Sequence, residues 1–285
     1  MPQGPQIIRK AFKESRDGVS ISLNWTLDAI KTPGFGRRPL VHKVFSFKEG
    51  PYALFGFDDE LEFNTQASSQ WDSLVHFSHQ ATGFAYNGVK ATKEALAQGS
   101  GNVDLDKAFP CLNHWHERRG LAGRGVLPDY RAYTQAKGIK YDCFDSHAIT
   151  VEDLGAVGFT EELEVDVDEQ EKRLGTHKAV GVKGDKKTAK WFWNHHFAAV
   201  AGDAIAFEVL LPTPEDDEDS IGTVKDLVLH QYFLSLFGLP IGELWSLKAL
   251  AEHCKKTGRY EFLLTSIPLN VSGAVGSPPN ALTIF

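Results

Sequence analysis

Asn64–His79 reads NTQASSQWDSLVHFSH and gathers Gln66, Gln70, Asp72, His76 and His79 into one polar run. Leu61–Phe77 has no helical apolar period, so extended chain and loop are predicted there. In extended chain, alternate side chains share a face. Gln66, Gln70, Asp72 and His76 are all even-numbered, so without a bulge they point to one side. A face of amide oxygens, a carboxylate and an imidazole suits a hard or borderline cation. It equally suits a polar ligand or a hydrogen-bonded structural network, and the residue types alone leave all three open.

Outward from this run, Val19–Trp25 alternates apolar and polar side chains and Val41–Phe47 is rich in strand formers, so both predict strands. Thr32–Pro39, rich in Gly, Pro and Arg, predicts a loop between them. Ala91–Gln98 and Asp106–Arg119 predict helices, the second ending at Gly120. Leu121–Leu127 predicts a buried strand, and Thr150 with Asp153 a helix start. Glu161–Arg173 and Pro212–Ser220 are charged and predict solvated surface. Ala198–Phe207 predicts a buried strand and turn.

The last third is more sharply punctuated. Thr223 and Asp226 predict a capped helix running to Phe237, with Gly238 ending it and Pro240 preventing continuation. Ser246 predicts the cap of a second helix with Leu247, Leu250, Ala251 and Cys254 on one face, closed by Gly258. Tyr260–Leu264 predicts a strand and Pro268–Asn280 a loop. Strands and helices without strict alternation imply a mixed α/β class.

The chain has 285 residues, 42% hydrophobic content and a formal net charge of -7. That balance argues against a nucleic-acid partner, which needs a basic stripe. No apolar run approaches the roughly 20 residues of a membrane span. Three dispersed cysteines fit neither a disulfide framework nor a cysteine zinc site, and Met1–Lys13 lacks the apolar core of a signal peptide, so a cytoplasmic protein is expected.

The spacing Gln66-x3-Gln70-x-Asp72-x3-His76 resembles the motif His-x-Gly-Thr-His-x-Asp-x-Pro-x-His of the putative cyclase family, which includes the bacterial-type kynurenine formamidases. There the first two histidines and the aspartate bind metal and the last histidine acts in catalysis. The Gln-Trp-Asp form resembles a fungal and bacterial branch. Gly123–Leu127, Ala199–Asp203, Leu229–Gln231, Gly238–Glu243, Pro268–Asn270 and Gly276–Asn280 resemble further family segments, so the likeness runs from about Val19 onward. It implies one domain over residues 1–285, with residues 1–18 an N-terminal extension, and a swivelling β/β/α fold with a mostly antiparallel or barrel-like central sheet.

The resemblance further implies a metal-dependent hydrolase of amide or cyclic ester/amide bonds. Asp72, His230, Glu243 and Gln70 would hold one divalent ion, Zn or Mn, and His76 would move the proton. N-formylkynurenine, in tryptophan catabolism, is the family's best-known substrate; a lactone or an isatin-like ring is an alternative. Trp71, Arg124 and His196 are candidate substrate contacts, Arg124 because its fork suits a carboxylate. A small-molecule substrate is implied, with room for a homodimer. His114 and His116, two apart on a predicted helix, share no face and read as structural. Two departures stand out: glutamine is a weaker ligand than imidazole, and the family's strand after Thr150–Leu154 is missing or shortened. Both favour a rival, a small-molecule-binding protein that has lost the metal.

Overall fold

The alternation in Val19–Trp25 yields a short strand, β1 (Ser20–Ser22), in a computed structural model that describes residues 4–51, 54–97, 109–154, 157–214 and 220–285. The other strands are β2 (Val41–Ser46), β3 (Phe57–Glu62), β4 (Gln70–Asp72), β5 (Leu121–Val126), β6 (Ala148–Ile149), β7 (Gly181–Val182), β8 (Val200–Ala201), β9 (Ile241–Glu243), β10 (Glu261–Ser266), β11 (Gly276–Ser277) and β12 (Ala281–Ile284). One sheet has the order β1-β12-β10-β5 and is antiparallel throughout. A second four-stranded sheet has the order β11-β4-β9-β8, with only its β8–β9 pair parallel, and β6 and β7 form a separate parallel pair. With flanking helices this is the mixed α/β class that the sequence predicts, with the mostly antiparallel sheets that the resemblance implies. Among the described residues no helix is long and apolar enough to cross a membrane.

Between the sheets lies a core around Leu23, Trp71, Trp245, Leu250, Phe262 and Phe285. Trp71 leaves β4 on the face opposite Gln70 and Asp72, as strand alternation requires. Its ring lies 4.8 Å from that of Trp245 and 5.4 Å from that of Trp115, and its Nε1–H donates to Ser266 Oγ at 2.8 Å. Burying an indole removes roughly 150–250 Å² from water. At about 25 cal/mol/Å² that is on the order of 4–6 kcal/mol before opposing conformational entropy. Trp71 therefore anchors the three-residue β4, which is too short to be held by its ladder alone.

Several local expectations are corrected. Leu121–Val126 is an edge strand with part of its surface in water, not a buried one. Thr150 and Asp153 form a turn rather than a helix start, closed by Asp153 N–H to the Thr150 carbonyl at 3.0 Å. No strand follows it before the helix Phe159–Glu162 among the described residues. Instead the Asp203 carboxylate accepts the N–H groups of Val157, Gly158 and Phe159. A side chain thereby satisfies backbone donors that a neighbouring strand would otherwise pair. Of the Asp106–Arg119 helix only His114–Glu117 is helical among the described residues, and residues 98–108 lie outside them. The Pro268–Asn280 loop contributes β11, which flanks β4. Among the described residues the hairpin β2–β3 pairs with no other strand, and it leaves Val44, Phe45, Phe57 and Leu61 exposed.

The Thr223–Phe237 segment departs from a single helix in a way that shapes the site. The capping box of Thr223 and Asp226 forms, but around a single turn, Val224–Asp226. Leu227 is extended (φ -60°, ψ 109°), and a new helix begins at Val228. It continues as a wider π-type helix over Gln231–Phe237 and ends at Gly238 in the left-handed conformation.

Candidate metal centre

Antiparallel register sets the first half of the site. Gln70 stands directly opposite Glu243 and Asp72 opposite Ile241, so Gln70, Asp72 and Glu243 project from one face of the β4–β9 pair. Gln70 Nε2 donates to Glu243 Oε2 at 2.8 Å, and Gln66 Nε2 donates to Asp72 Oδ1 at 2.6 Å. Gln66 and His76 lie outside the strand and reach the same face from the flanking turns. Gln66 Nε2 is 3.2 Å from His76 Nδ1, and His76 Nε2 is 4.0 Å from Asp72 Oδ1.

The broken helix supplies the second half. Its first turn exposes N–H groups that have no partner within the helix. Glu208, fully buried, caps them: Oε1 accepts Val228 N–H at 2.8 Å and Oε2 accepts His230 N–H at 2.9 Å. Glu208 Oε2 also lies 3.0 Å from His230 Nδ1, while His230 Nε2 lies 3.2 Å from Glu243 Oε1. A neutral His230 that donates from Nδ1 to Glu208 keeps the Nε2 lone pair free for the centre. Phe207 N–H donates to Glu243 Oε1 at 2.9 Å and fixes that carboxylate.

One ligand atom each of Asp72, His230 and Glu243 lie within 4.8 Å of one another, and all three residues are buried. Ligand atoms on one tetrahedral ion with bonds of about 2.0–2.2 Å stand roughly 3.3–3.6 Å apart, so side-chain adjustments of up to about 1 Å bring the triad to bonding distance. Two buried atoms in the cluster, Asp72 Oδ2 and Gln70 Oε1, have no hydrogen-bond partner. An oxygen-seeking cation would satisfy both. Charge agrees: three carboxylates, Asp72, Glu208 and Glu243, face the two imidazoles of His76 and His230, so the cluster stays negative with one imidazole protonated.

The protonation pattern has the same origin. Burial raises the Asp72 carboxyl, helped by the Glu243 charge and opposed by His76. Burial would also raise Glu243, but the His230 bond prevails and holds it below its usual range. Burial pulls His230 down, yet its bonds to Glu208 and Glu243 carry it up to about 10. Metal-free, the centre is an imidazolium between two carboxylates beside an Asp72 that resists ionisation. A divalent ion would displace the His230 proton.

The structure thus brings Gln70, Asp72, His76, His230 and Glu243 together. It does not bring the three candidate substrate contacts with them. Trp71 is core, on the opposite face of β4. Arg124 sits on the edge strand β5 with its side chain 56% exposed, pairing Glu261 at 3.4 Å. His196 is exposed at the C-terminal cap of the helix Lys186–His195, because the adjacent histidines end a helix instead of entering a strand.

Glu208 was not predicted. Its signal is a lone carboxylate inside the apolar run Ala204–Leu211, where a buried charge requires a partner. Gly184 makes room for it, since a Cβ there would lie 2.3 Å from Glu208 Oε1. Gly184→Ala should therefore displace Glu208 and cost about 1–3 kcal/mol, read as a lower urea midpoint with an unchanged slope. An unaltered midpoint would show that the carboxylate has space to spare.

No family model and no curated protein sequence matches this chain. Among solved structures, one described as a novel cyclase is 26% identical and aligns over 99% of this chain and 92% of its own, with a TM-score of 0.77. The chain is therefore similar in fold and length to this cyclase. Isatin hydrolase A from Ralstonia solanacearum aligns over 99% of this chain and 97% of its own at 12% identity, TM-score 0.58. Isatin hydrolase A from Labrenzia aggregata, bound to benzyl benzoate, aligns over 98% and 97% at 12% identity, TM-score 0.55. These two share the fold of the cyclase-like chain.

Proposed function

We propose that this chain is a metal-dependent hydrolase of carbon–nitrogen amide bonds or cyclic esters and amides, with aryl formamides such as N-formylkynurenine as the first substrates to test. The observation that carries the reading is the buried convergence of Asp72, His230 and Glu243 on one point, in a cluster short of positive charge. These residues would hold one ion, Zn or Mn, with Gln70 Oε1 as an additional oxygen. The ion supplies carbonyl polarisation and a more acidic bound water. The ring amide of isatin belongs to the same bond class, and the isatin hydrolases share this fold.

The remaining chemistry falls to the chain's own groups. Glu208 holds His230 by Nδ1, and Phe207 N–H holds Glu243. His76 has 23% of its side chain exposed, against 5% or less for Asp72, His230 and Glu243. It is therefore the group through which the buried centre exchanges protons with water, and it suits general base and then general acid. The Gln66 amide, between Asp72 and the His76 ring, orients that ring.

A second reading has its own support. The glutamine amides donate to Asp72 and Glu243, and His230 bridges two carboxylates, so the network closes substantially without an ion. A binding protein without metal would look like this. Metal analysis of the purified protein separates the two, with formamidase and isatin-hydrolysis assays run with and without chelator. The hydrolase should take up about one equivalent of zinc or manganese and lose activity on chelation. His76→Ala should lose roughly 10²–10⁴-fold in kcat with metal content unchanged. A protein that takes up no divalent metal, or hydrolyses equally well in chelator, would be the binding protein.

A further inference from the structure

Arg37 stands beside the centre without belonging to it. Its Nη1 donates to the Gln66 carbonyl at 2.8 Å, and its charge helps hold the Glu243 carboxyl down. Phe35 (φ 60°) and Gly36 (φ 67°) are both left-handed, so the loop curls back and the guanidinium carbon lies 5.1 Å from the centre of the Phe35 ring. The side chain is half-buried. A guanidinium carries five N–H donors in a rigid fork. The Gln66 carbonyl is the hydrogen-bond acceptor Arg37 has, and Arg37 makes no ion pair among the described residues. The Glu243 oxygens are taken by Gln70, Phe207 and His230 instead.

A cation held by the backbone of Gln66, whose side chain enters the cluster, and bonded to none of its carboxylates has a fork to spare. The carboxylates repel an anionic ligand, and apart from an ion bound at the centre Arg37 is the cation placed beside it to receive one. We infer that Arg37 is the specificity-determining residue that receives a carboxylate on the substrate, so that the chain acts on amides or lactams bearing a carboxylate. Arg124, exposed on the edge strand and paired with Glu261, is not placed for this. The inference rests on the hydrolase reading for the word substrate; the anion preference itself does not depend on turnover.

The test is calorimetric titration of the metal-loaded protein with 2-aminobenzoate and with its uncharged counterpart 2-aminobenzamide. The wild-type chain should prefer the anion. Charge-assisted hydrogen bonds are worth about 1.5–3 kcal/mol, so Arg37→Gln should weaken anion binding by roughly 10–100-fold. Affinity for the amide should change less than about twofold, because the amide uses no fork. Arg37→Lys, a point charge, should recover part of the loss. Equal affinity of the wild-type chain for both compounds, or an anion affinity unchanged in Arg37→Gln, overturns the inference. So does an equal loss for both, which marks a structural arginine. Hydrolysis of N-formylkynurenine is measured separately. Its absence alongside an Arg37-dependent anion preference defeats the hydrolase reading alone, and turnover without that preference defeats the assignment of Arg37 alone.

Discussion

Asp72→Asn should all but abolish divalent metal binding while leaving the metal-free fold at least as stable as the wild type. Structural zinc binding is worth about 10–16 kcal/mol in zinc-finger peptides, so one ligand among three or four accounts for roughly 3–4 kcal/mol, or 10²–10³-fold in affinity. The asparagine oxygen still accepts from Gln66 Nε2, and its NH₂ replaces Oδ2, an atom with no partner. Burial already disfavours the ionised Asp72, and a carboxyl whose folded pKa is raised loses stability as pH rises above its unfolded value. A neutral isostere removes that cost near pH 7. The two halves are measured apart, by zinc or manganese titration and by the thermal midpoint in chelator. Zinc affinity within threefold of wild type would refute the assignment of Asp72 as a ligand. A large fall in the chelator midpoint would show that Asp72 holds the fold rather than the metal.

What was legible in the sequence follows from how each part is held. β4 and its polar face could be read because alternation is a local property, and Gln70 and Asp72 indeed share a side while Trp71 enters the core. The pairing of His230 with Glu243 was reached through resemblance. Their convergence depends on the β4–β9 register and on a helix that restarts at Val228, neither of which local periodicity encodes. The break itself was hidden. Thr223 and Asp226 form a genuine capping box, and from the sequence nothing shows that Glu208, about twenty positions upstream, caps a second start. Arg124 was misplaced for a similar reason. Its fork suits a carboxylate by residue type alone, but it stands on an edge strand where Gly125 gives room to the Phe262 ring on the neighbouring strand.

Glu208 carries the second large effect. Glu208→Ala leaves Val228 N–H, His230 N–H and His230 Nδ1 without their shared acceptor inside the protein. Removing one partner of a buried, hydrogen-bonded charge pair costs about 3–5 kcal/mol, and the metal-free variant should unfold correspondingly earlier in urea. The cost should depend on pH. His230, raised by burial-defying bonds to about 10, adds stability that is fully present below its unfolded value and lost as pH rises through its folded one. The wild-type advantage in metal-free protein should therefore shrink between about pH 6.5 and pH 10, leaving the backbone N–H contribution behind. Should Glu208→Ala fail to fold, Glu208→Gln gives the same information in milder form. An amide has one acceptor where the carboxylate has two, so either Val228 or the His230 pair loses its partner. With Nδ1 no longer held as the donor, Nε2 is less often free, and zinc affinity should fall roughly 10–100-fold. A Glu208→Gln protein with wild-type metal affinity and stability would mean that the His230 ring is fixed by its packing against Phe77, 5.5 Å away, and not by the carboxylate behind it.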